Sequence, residues 1–155
     1  MLQENVDALR RSNEAFNDGD LDRALELWDP QVVYYEQPGT PLDTAEVLRG
    51  LDQVRASLSS YLAEFSDFHS EIDELVDAGD KLICVQRWTG SGRASGLSVD
   101  LEEVIVFTFE NGKIIEGRVC PDRASALEAA GLSEWRFGRE AAVSKITPRS
   151  GERAH

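Results

Sequence analysis

Histidine, cysteine and basic residues are scarce in this chain of 155 residues, and each scarcity argues against a class of function. Lys and Arg together number 16 against 29 Asp and Glu, so the formal net charge is −13. A surface of that sign repels the phosphates of nucleic acids and of anionic membranes. We therefore expect neither a nucleic-acid partner nor a membrane partner.

The two cysteines, Cys84 and Cys120, belong to no CxxC pair and have no histidines at metal-ligand spacing. Reduced thiols are therefore expected rather than a disulfide or a zinc site. Residues 1–11 do not resemble a signal peptide, and no run approaches the ~18 apolar residues of a membrane span. No glycine-rich phosphate loop follows a strand and opens a helix. These absences predict a cytoplasmic protein without a cofactor or a metal.

The first part of the chain has helical periodicity. Apolar residues between Leu2 and Phe16 predict a first helix, and those over 21–28 predict a second helix that ends at Asp29-Pro30. A short strand is predicted at 32–35. Apolar spacing over 47–65 predicts a third helix, which Gly50 either kinks or begins.

From Ser66 onward the apolar residues alternate, which predicts strands over 68–73, 82–88, 97–109 and 114–120. A flexible loop over 90–96, hairpin turns at 77–80 and 110–113, and a closing helix over 122–130 complete the pattern. Helices followed by a strand meander are typical of an α+β domain with its helices on one face of an antiparallel sheet. We expect one domain over 1–132 and an extension over 133–155, disordered from about 147. Trp135 and Phe137 in that extension are expected to dock on the domain or on a partner subunit.

Glu103 is the strongest candidate for chemistry. It is the single carboxylate among the odd-numbered residues of the 97–109 strand, which are otherwise apolar and share one face. Burial there would raise the pKa of the carboxyl group, as proton abstraction next to a carbonyl requires. An ion pair with Arg87, Arg93 or Arg118, or a place at a dimer seam, would equally explain the residue.

Other side chains are candidates for the wall of a binding pocket, although aromatic residues at such spacing more often form a core. Only one of Tyr34 and Tyr35 can face inward, and its hydroxyl would orient the carbonyl of a ligand. Asn13 lies on the buried stripe of the first helix. The candidate binding residues are Asn13, Trp28, Tyr34, Tyr35, Tyr61, Phe65, Arg87, Trp88 and Phe107.

Three runs carry a resemblance to a known family: NEAFNDGDLDRALELWDPQVVYYEQPG, RGLDQV and VIVFTFENGKIIEGRVCPDRASALEAAGL. Over roughly residues 3–132 the chain resembles the SnoaL-like branch of the ketosteroid-isomerase and nuclear-transport-factor-2-like superfamily. The resemblance implies a cone-shaped, curved antiparallel sheet wrapped around three N-terminal helices, with a pocket at the wide end. It also implies a homodimer formed through the sheet.

The resemblance can be tested at single positions. The tyrosine, general-base aspartate and protonated aspartate of ketosteroid isomerases correspond to Ser12, Gln37 and Ile105 here. Ketosteroid isomerisation itself is therefore not expected, unless Glu36 and Glu103 have taken over as base and acid.

Comparison with SnoaL-like cyclases gives a mixed result. Asp122 matches their general acid/base, although an Asp at that position also caps a helix. The histidine that those cyclases carry on the penultimate strand is missing, and His69 lies on another strand. The match to the cyclase site is therefore partial.

Two functions follow as hypotheses. The first is a cofactor-independent isomerase, cyclase or lyase acting on an apolar carbonyl compound, with Glu103 or Asp122 moving the proton. The second is a non-catalytic domain that binds a small apolar ligand or acts in dimeric assembly.

Overall fold

The computed structural model describes residues 2–37 and 47–135. Within these ranges the chain forms helices α1 (Leu2–Asn17), α2 (Leu21–Ala24), α3 (Leu51–Glu64) and α4 (Arg123–Ala130), with a 3-10 turn at Leu25–Leu27. The strands are β1 (Trp28–Tyr35), β2 (Val47–Arg49), β3 (Phe65–Ala78), β4 (Lys81–Gly92), β5 (Ser98–Glu110) and β6 (Lys113–Cys120). None of the helices in this part of the chain is long and apolar enough to cross a membrane.

The strands form one curved open sheet in the order β2-β1-β6-β5-β4-β3. The predicted α+β class and the meander from β3 to β6 are confirmed. One pairing departs from the antiparallel expectation, because β1 runs parallel to β6. The chain must cross from the first strand to the last to make this pair, so no hairpin pattern could have signalled it.

The second predicted helix is shorter than expected. Asp20 caps α2 by accepting the backbone N–H of Arg23 at 3.2 Å, but α2 ends at Ala24 and strand geometry begins at Trp28. Pro30 is tolerated in β1 because the pairing with β6 shifts register between Trp28 and Val33. Trp28 is therefore a strand residue rather than a helix residue.

Gly50 begins the third helix instead of kinking it. Its φ of 85° lies in the region that favours glycine, and its N–H donates to the carbonyl of Val32 at 2.7 Å. The preceding residues pair with β1 as strand β2, with Tyr34 opposite Leu48. The predicted loop over 90–96 is also shorter, because Gly90 pairs with Val99 and extends β4.

The two faces of the sheet are covered by different elements. Apolar residues of α1, α3 and the inner strand face form the largest buried group, which includes Val6, Val54 and Ile105. On the opposite face, α4, Leu132 and Trp135 pack against six buried strand residues: Val76, Ile83, Val85, Val104, Val106 and Cys120. The closing helix therefore covers part of the outer face of the sheet.

The segment after α4 is attached to this outer face by polar contacts. The indole N–H of Trp135 donates to Glu74 Oε1 at 3.2 Å, and Arg123 Nη2 donates to Glu74 Oε2 at 2.8 Å. The Arg123 guanidinium also lies 5.2 Å from the centroid of the Trp135 ring. Trp135 thus docks on its own domain, while Phe137 lies outside the described residues.

Candidate functional site

A cavity of about 120 Å³ lies between the helices and the inner face of the sheet. Its wall is mainly apolar and aromatic, with a small set of polar side chains. Seven of the predicted site residues contribute to the wall: Asn13, Trp28, Tyr34, Tyr61, Trp88, Glu103 and Phe107. The polar lining residues beyond these are Ser12, Glu36, Ser57, Ser70 and Gln86.

Glu103 faces this cavity as the alternation of β5 predicted. It stands opposite Gln86 in the β4–β5 register, and the indole N–H of Trp88 donates a hydrogen bond to its carboxylate. Burial raises the pKa of Glu103 to about 7; the Trp88 hydrogen bond opposes this shift, and the negative charge of Glu36 adds to it. The carboxyl group can therefore hold or release a proton near neutral pH.

The arginines considered as partners of Glu103 have other contacts. Arg87 donates to Asp100 Oδ2 at 2.6 Å, and Arg118 lies over the ring of Tyr35, 4.0 Å from the centroid. Arg93 is exposed, in the turn after β4. The ion-pair explanation of Glu103 is therefore not supported.

Tyr34 supplies a hydroxyl to the same cavity. Burial, followed by the charges of Glu103 and Glu36, raises the pKa of this phenol well above its ordinary value. Tyr34 therefore keeps its proton at neutral pH and can serve as a hydrogen-bond donor. Glu36 follows the last residue of β1 and lines the cavity with Tyr34, so the wall contains two carboxyl groups, Glu36 and Glu103, and two phenols, Tyr34 and Tyr61.

The parallel pairing of β1 with β6 creates the space for the Tyr34 ring. Tyr34 lies opposite Gly117 in that register, and a Cβ atom at Gly117 would collide with the ring. The Trp28 ring lies 5.8 Å from the Tyr34 ring and 5.9 Å from the Phe107 ring, between centroids. Gly117 and the Trp28 ring thus hold Tyr34 in place, and Phe107 packs against Trp28.

Three predicted binding residues lie elsewhere. Phe65 is buried behind the wall, with its ring 6.3 Å from that of Tyr61, and does not line the cavity. Tyr35 and Arg87 are not among the residues that line this cavity, because each lies next to an inward-facing strand residue and therefore points to the opposite face. Of the two adjacent tyrosines, Tyr34 is therefore the one that lines the cavity.

Asp122 lies apart from the cavity. Its side chain accepts the backbone N–H of Ser125 at 2.8 Å and caps α4, and this hydrogen bond lowers the pKa of the carboxyl group. The carboxylate is exposed to solvent and is not part of the cavity wall. Its predicted catalytic role therefore has no support from its position, and its capping role explains it.

Sequence reasoning missed Ser70 and Gln86 as lining residues. Ser70 alternates with Phe68 and Ile72 on β3, and all three line the cavity, so the signal was present in the strand period. Gln86 precedes Arg87 on β4. It was recognised as a lining residue only from the β4–β5 pairing, in which it lies opposite Glu103.

Metal and thiol chemistry find no support in this region. Among the side chains that the structure describes, no three His, Cys, Asp or Glu residues form a group that could hold a metal ion. Cys84 and Cys120 are buried free thiols, and burial raises the pKa of Cys84 to about 12. Cys84 is therefore a thiol rather than a thiolate at neutral pH.

Comparison of the sequence with known proteins identifies the family of the domain. A profile described as the SnoaL-like domain matches residues 9–117. A search of curated proteins finds no match to the chain.

Several solved structures have the same fold. Bal32a, from a soil-derived mobile gene cassette, is 25% identical with a TM-score of 0.68 over 86% of this chain and 98% of its own. A nuclear-transport-factor-2-like protein of unknown function from Burkholderia pseudomallei is 25% identical with a TM-score of 0.67, over 81% of this chain and 95% of its own. A putative SnoaL-like polyketide cyclase from Jannaschia is 21% identical with a TM-score of 0.65, over 85% of this chain and 94% of its own, and at that identity shows the fold alone.

The family match runs from α1 through most of β6 and so includes the strands that bear Tyr34 and Glu103. Members of one fold differ in chemistry, so this match identifies the domain and leaves the reaction to be argued from its residues. On the match and the fold together, the chain belongs to the SnoaL-like domain family.

Proposed function

We propose that the protein catalyses proton transfer next to the carbonyl group of a small apolar compound, without a cofactor. One observation carries the proposal: Glu103 and Tyr34 face the same apolar cavity, close enough that the Glu103 charge acts on the Tyr34 hydroxyl. A base and a hydrogen-bond donor in one apolar pocket are the two groups that enolisation requires.

The proposed reaction proceeds through an enolate. The Glu103 carboxylate takes a proton from the carbon next to the carbonyl. The electron pair of the broken C–H bond forms a carbon–carbon double bond, and the π electrons of the C=O bond move onto the carbonyl oxygen. The Tyr34 hydroxyl donates a hydrogen bond to that oxygen as its negative charge develops. Glu103 then returns the proton to the same carbon or to a conjugated one, so no oxidant, reductant or co-reactant is consumed.

The environment of Glu103 suits this role. With a pKa of about 7, its protonated and ionised forms are both populated at neutral pH, so one group can accept and return a proton. The charge of Glu36 contributes to that pKa, which makes Glu36 a positioning residue that tunes the base. Aromatic side chains of the wall exclude water and thereby strengthen the interaction between Tyr34 and the enolate oxygen.

The test needs no knowledge of the natural substrate. Cyclohexanone is incubated with the protein in D2O, and NMR follows the exchange of the protons next to its carbonyl. We expect Glu103→Gln to slow the protein-dependent exchange by about 100-fold or more, because a general base contributes that much. Tyr34→Phe is expected to slow it by about 100-fold through loss of the hydrogen bond to the oxygen.

Glu102→Gln is the matched control. It makes the same chemical change one residue earlier on β5, where the side chain is exposed on the opposite face. We expect this variant to exchange at the wild-type rate. If Glu103→Gln exchanges as fast as Glu102→Gln, Glu103 is not the base.

Non-catalytic ligand binding is the second candidate. It is favoured by the hydrogen bond from Trp88, which already satisfies part of the Glu103 carboxylate without any reaction. Under this function the wild-type protein binds cyclohexanone, as quenching of tryptophan fluorescence would detect, but exchange in D2O stays at the rate of buffer alone. The same pair of measurements therefore separates the two functions.

A further inference from the structure

Ser70 lines the cavity, and its hydroxyl is not used by the reaction proposed above. Ser70 is 3% exposed, and within residues 2–37 and 47–135 its Oγ has no hydrogen-bond partner. Buried hydroxyl groups are nearly always paired, because an unpaired one loses its hydration without compensation. A buried, unpaired hydroxyl in a cavity wall is suited to pair with a group on a ligand.

The backbone around this hydroxyl is held in place. β3 is an edge strand, so one side of its backbone lacks a neighbouring strand, and α1 supplies partners for Ser70 there. The Ser70 N–H donates to Asn17 Oδ1 at 2.7 Å, and its carbonyl accepts from Asn17 Nδ2 at 2.8 Å and Asn13 Nδ2 at 2.9 Å. These three bonds satisfy the backbone groups and leave only the side-chain hydroxyl for a ligand.

The size of the cavity limits the ligand. About 120 Å³ is slightly less than the roughly 150 Å³ of an apolar cavity known to bind benzene, and far below the roughly 300–1,000 Å³ of pockets for drug-sized molecules. The space fits one six-membered ring with small substituents. We therefore expect a fused ring system to bind less tightly than a single ring.

The polar groups of the wall come from separated strands. Tyr34 is on β1, Glu103 is on β5 and Ser70 is on β3, and the sheet order places β6, β5 and β4 between the strands of the two hydroxyls. Tyr34 and Ser70 therefore belong to separate parts of the sheet and line the same cavity.

We propose that the cavity binds a single-ring carbonyl compound with a second oxygen substituent remote from the carbonyl, and that the Ser70 hydroxyl hydrogen-bonds to this substituent. The orientation of the ring rests on the proposed function, which assigns the carbonyl to Tyr34. Ser70 is thus a specificity-determining binding residue rather than a catalytic one.

The test compares cyclohexanone with 4-hydroxycyclohexanone, which adds one hydroxyl across the ring from the carbonyl. Quenching of tryptophan fluorescence gives the dissociation constants, because Trp28 and Trp88 line the cavity. We expect wild-type protein to bind the hydroxylated ketone about tenfold more tightly, as one added hydrogen bond allows. Ser70→Ala is expected to abolish the preference and leave the affinity for cyclohexanone unchanged.

Ser66→Ala is the matched control on the same strand. The Ser66 hydroxyl donates to the Ser91 carbonyl at 3.2 Å and does not line the cavity, so this variant is expected to keep the preference. Ser70→Ala should not lower the Tm, because it removes a buried hydroxyl that has no partner in the described residues. An equal preference in Ser70→Ala and wild type, or no preference in wild type, overturns the proposal.

Three further outcomes are decisive. Binding of the two-ring ketone 2-decalone as tight as that of cyclohexanone, or no binding of either single-ring ketone, overturns the assigned substrate class. If the preference depends on Ser70 but neither ketone exchanges its protons in D2O, the proposed reaction fails while the binding role of Ser70 stands.

Discussion

Glu103→Gln tests the electrostatics of the site through protein stability as well as through catalysis. The pKa of Glu103 rises from 4.5 to about 7 in the folded protein, because burial disfavours its charged form. Each pKa unit corresponds to about 1.36 kcal/mol, so ionised Glu103 costs the folded state about 3 kcal/mol relative to its protonated form. Glutamine cannot ionise and keeps an oxygen that accepts the Trp88 hydrogen bond.

The sign of the effect follows from proton binding. Between pH 4.5 and about 7 the folded state binds more protons at this site than the unfolded state, so the wild-type protein loses stability as the pH rises. The free energy of unfolding of Glu103→Gln minus that of wild type should be near zero below pH 4.5. It should increase up to about pH 7 and then remain at about 3 kcal/mol.

Urea unfolding followed by circular dichroism measures this difference at pH values from 4 to 9. Glu102→Gln, on the exposed side of the same strand, corrects for the general effect of removing one negative charge, and it also removes the exposed ion pair of Glu102 with Arg123 at 3.5 Å. Other ionisable groups contribute equally to the free energies of unfolding of the variant and of wild type where the substitution does not disturb them. Their contributions therefore cancel when one free energy is subtracted from the other. A flat difference between pH 5 and pH 8 would refute the claim that Glu103 is buried with a raised pKa.

Four other predictions address the remaining parts of the fold and site. Glu36→Gln should shift the pH midpoint of ketone exchange to lower pH, since removing the negative charge lowers the pKa of Glu103; an unchanged midpoint would exclude electrostatic coupling. Asp122→Ala should lower the midpoint of urea unfolding through loss of the α4 cap, with the exchange rate unaltered; a large loss of exchange would indicate that Asp122 acts in the reaction. Gly117→Ala should destabilise the protein by about 1–3 kcal/mol in urea unfolding and slow exchange, because its methyl group displaces the Tyr34 ring; wild-type values for both would contradict the close approach. The homodimer remains our proposal from the family resemblance, and sedimentation at micromolar concentration should give twice the 17.2 kDa chain mass, whereas a monomer mass would exclude it.

Strand periodicity was sufficient to predict much of the site. The alternation of β5 placed Glu103 on the inner face with Ile105 and Phe107, and these three residues line the cavity. Alternation also limited Tyr34 and Tyr35 to one inward residue without selecting between them. This information is local, because successive side chains on a strand always point to opposite faces.

Strand periodicity could not predict the contacts between segments that are distant in sequence. The prediction that Trp28 ended a helix failed because the parallel β1–β6 pairing, with its register shift, draws Trp28 into the sheet. The same pairing selects Tyr34 by placing it against Gly117. Pairing partners that are distant in sequence depend on the whole fold, so periodicity within one segment cannot identify them.

The sequence by itself determined that helices cover one face of a meander sheet and that one carboxylate, Glu103, lies on its apolar side. Only the tertiary structure decided that Glu36 and Tyr34 share the cavity with Glu103, that Asp122 caps a helix, and that α4 covers the outer face. The physical reason is that the direction of a strand side chain follows from its immediate neighbours. Burial, charge coupling and pKa, in contrast, depend on groups that only folding brings together.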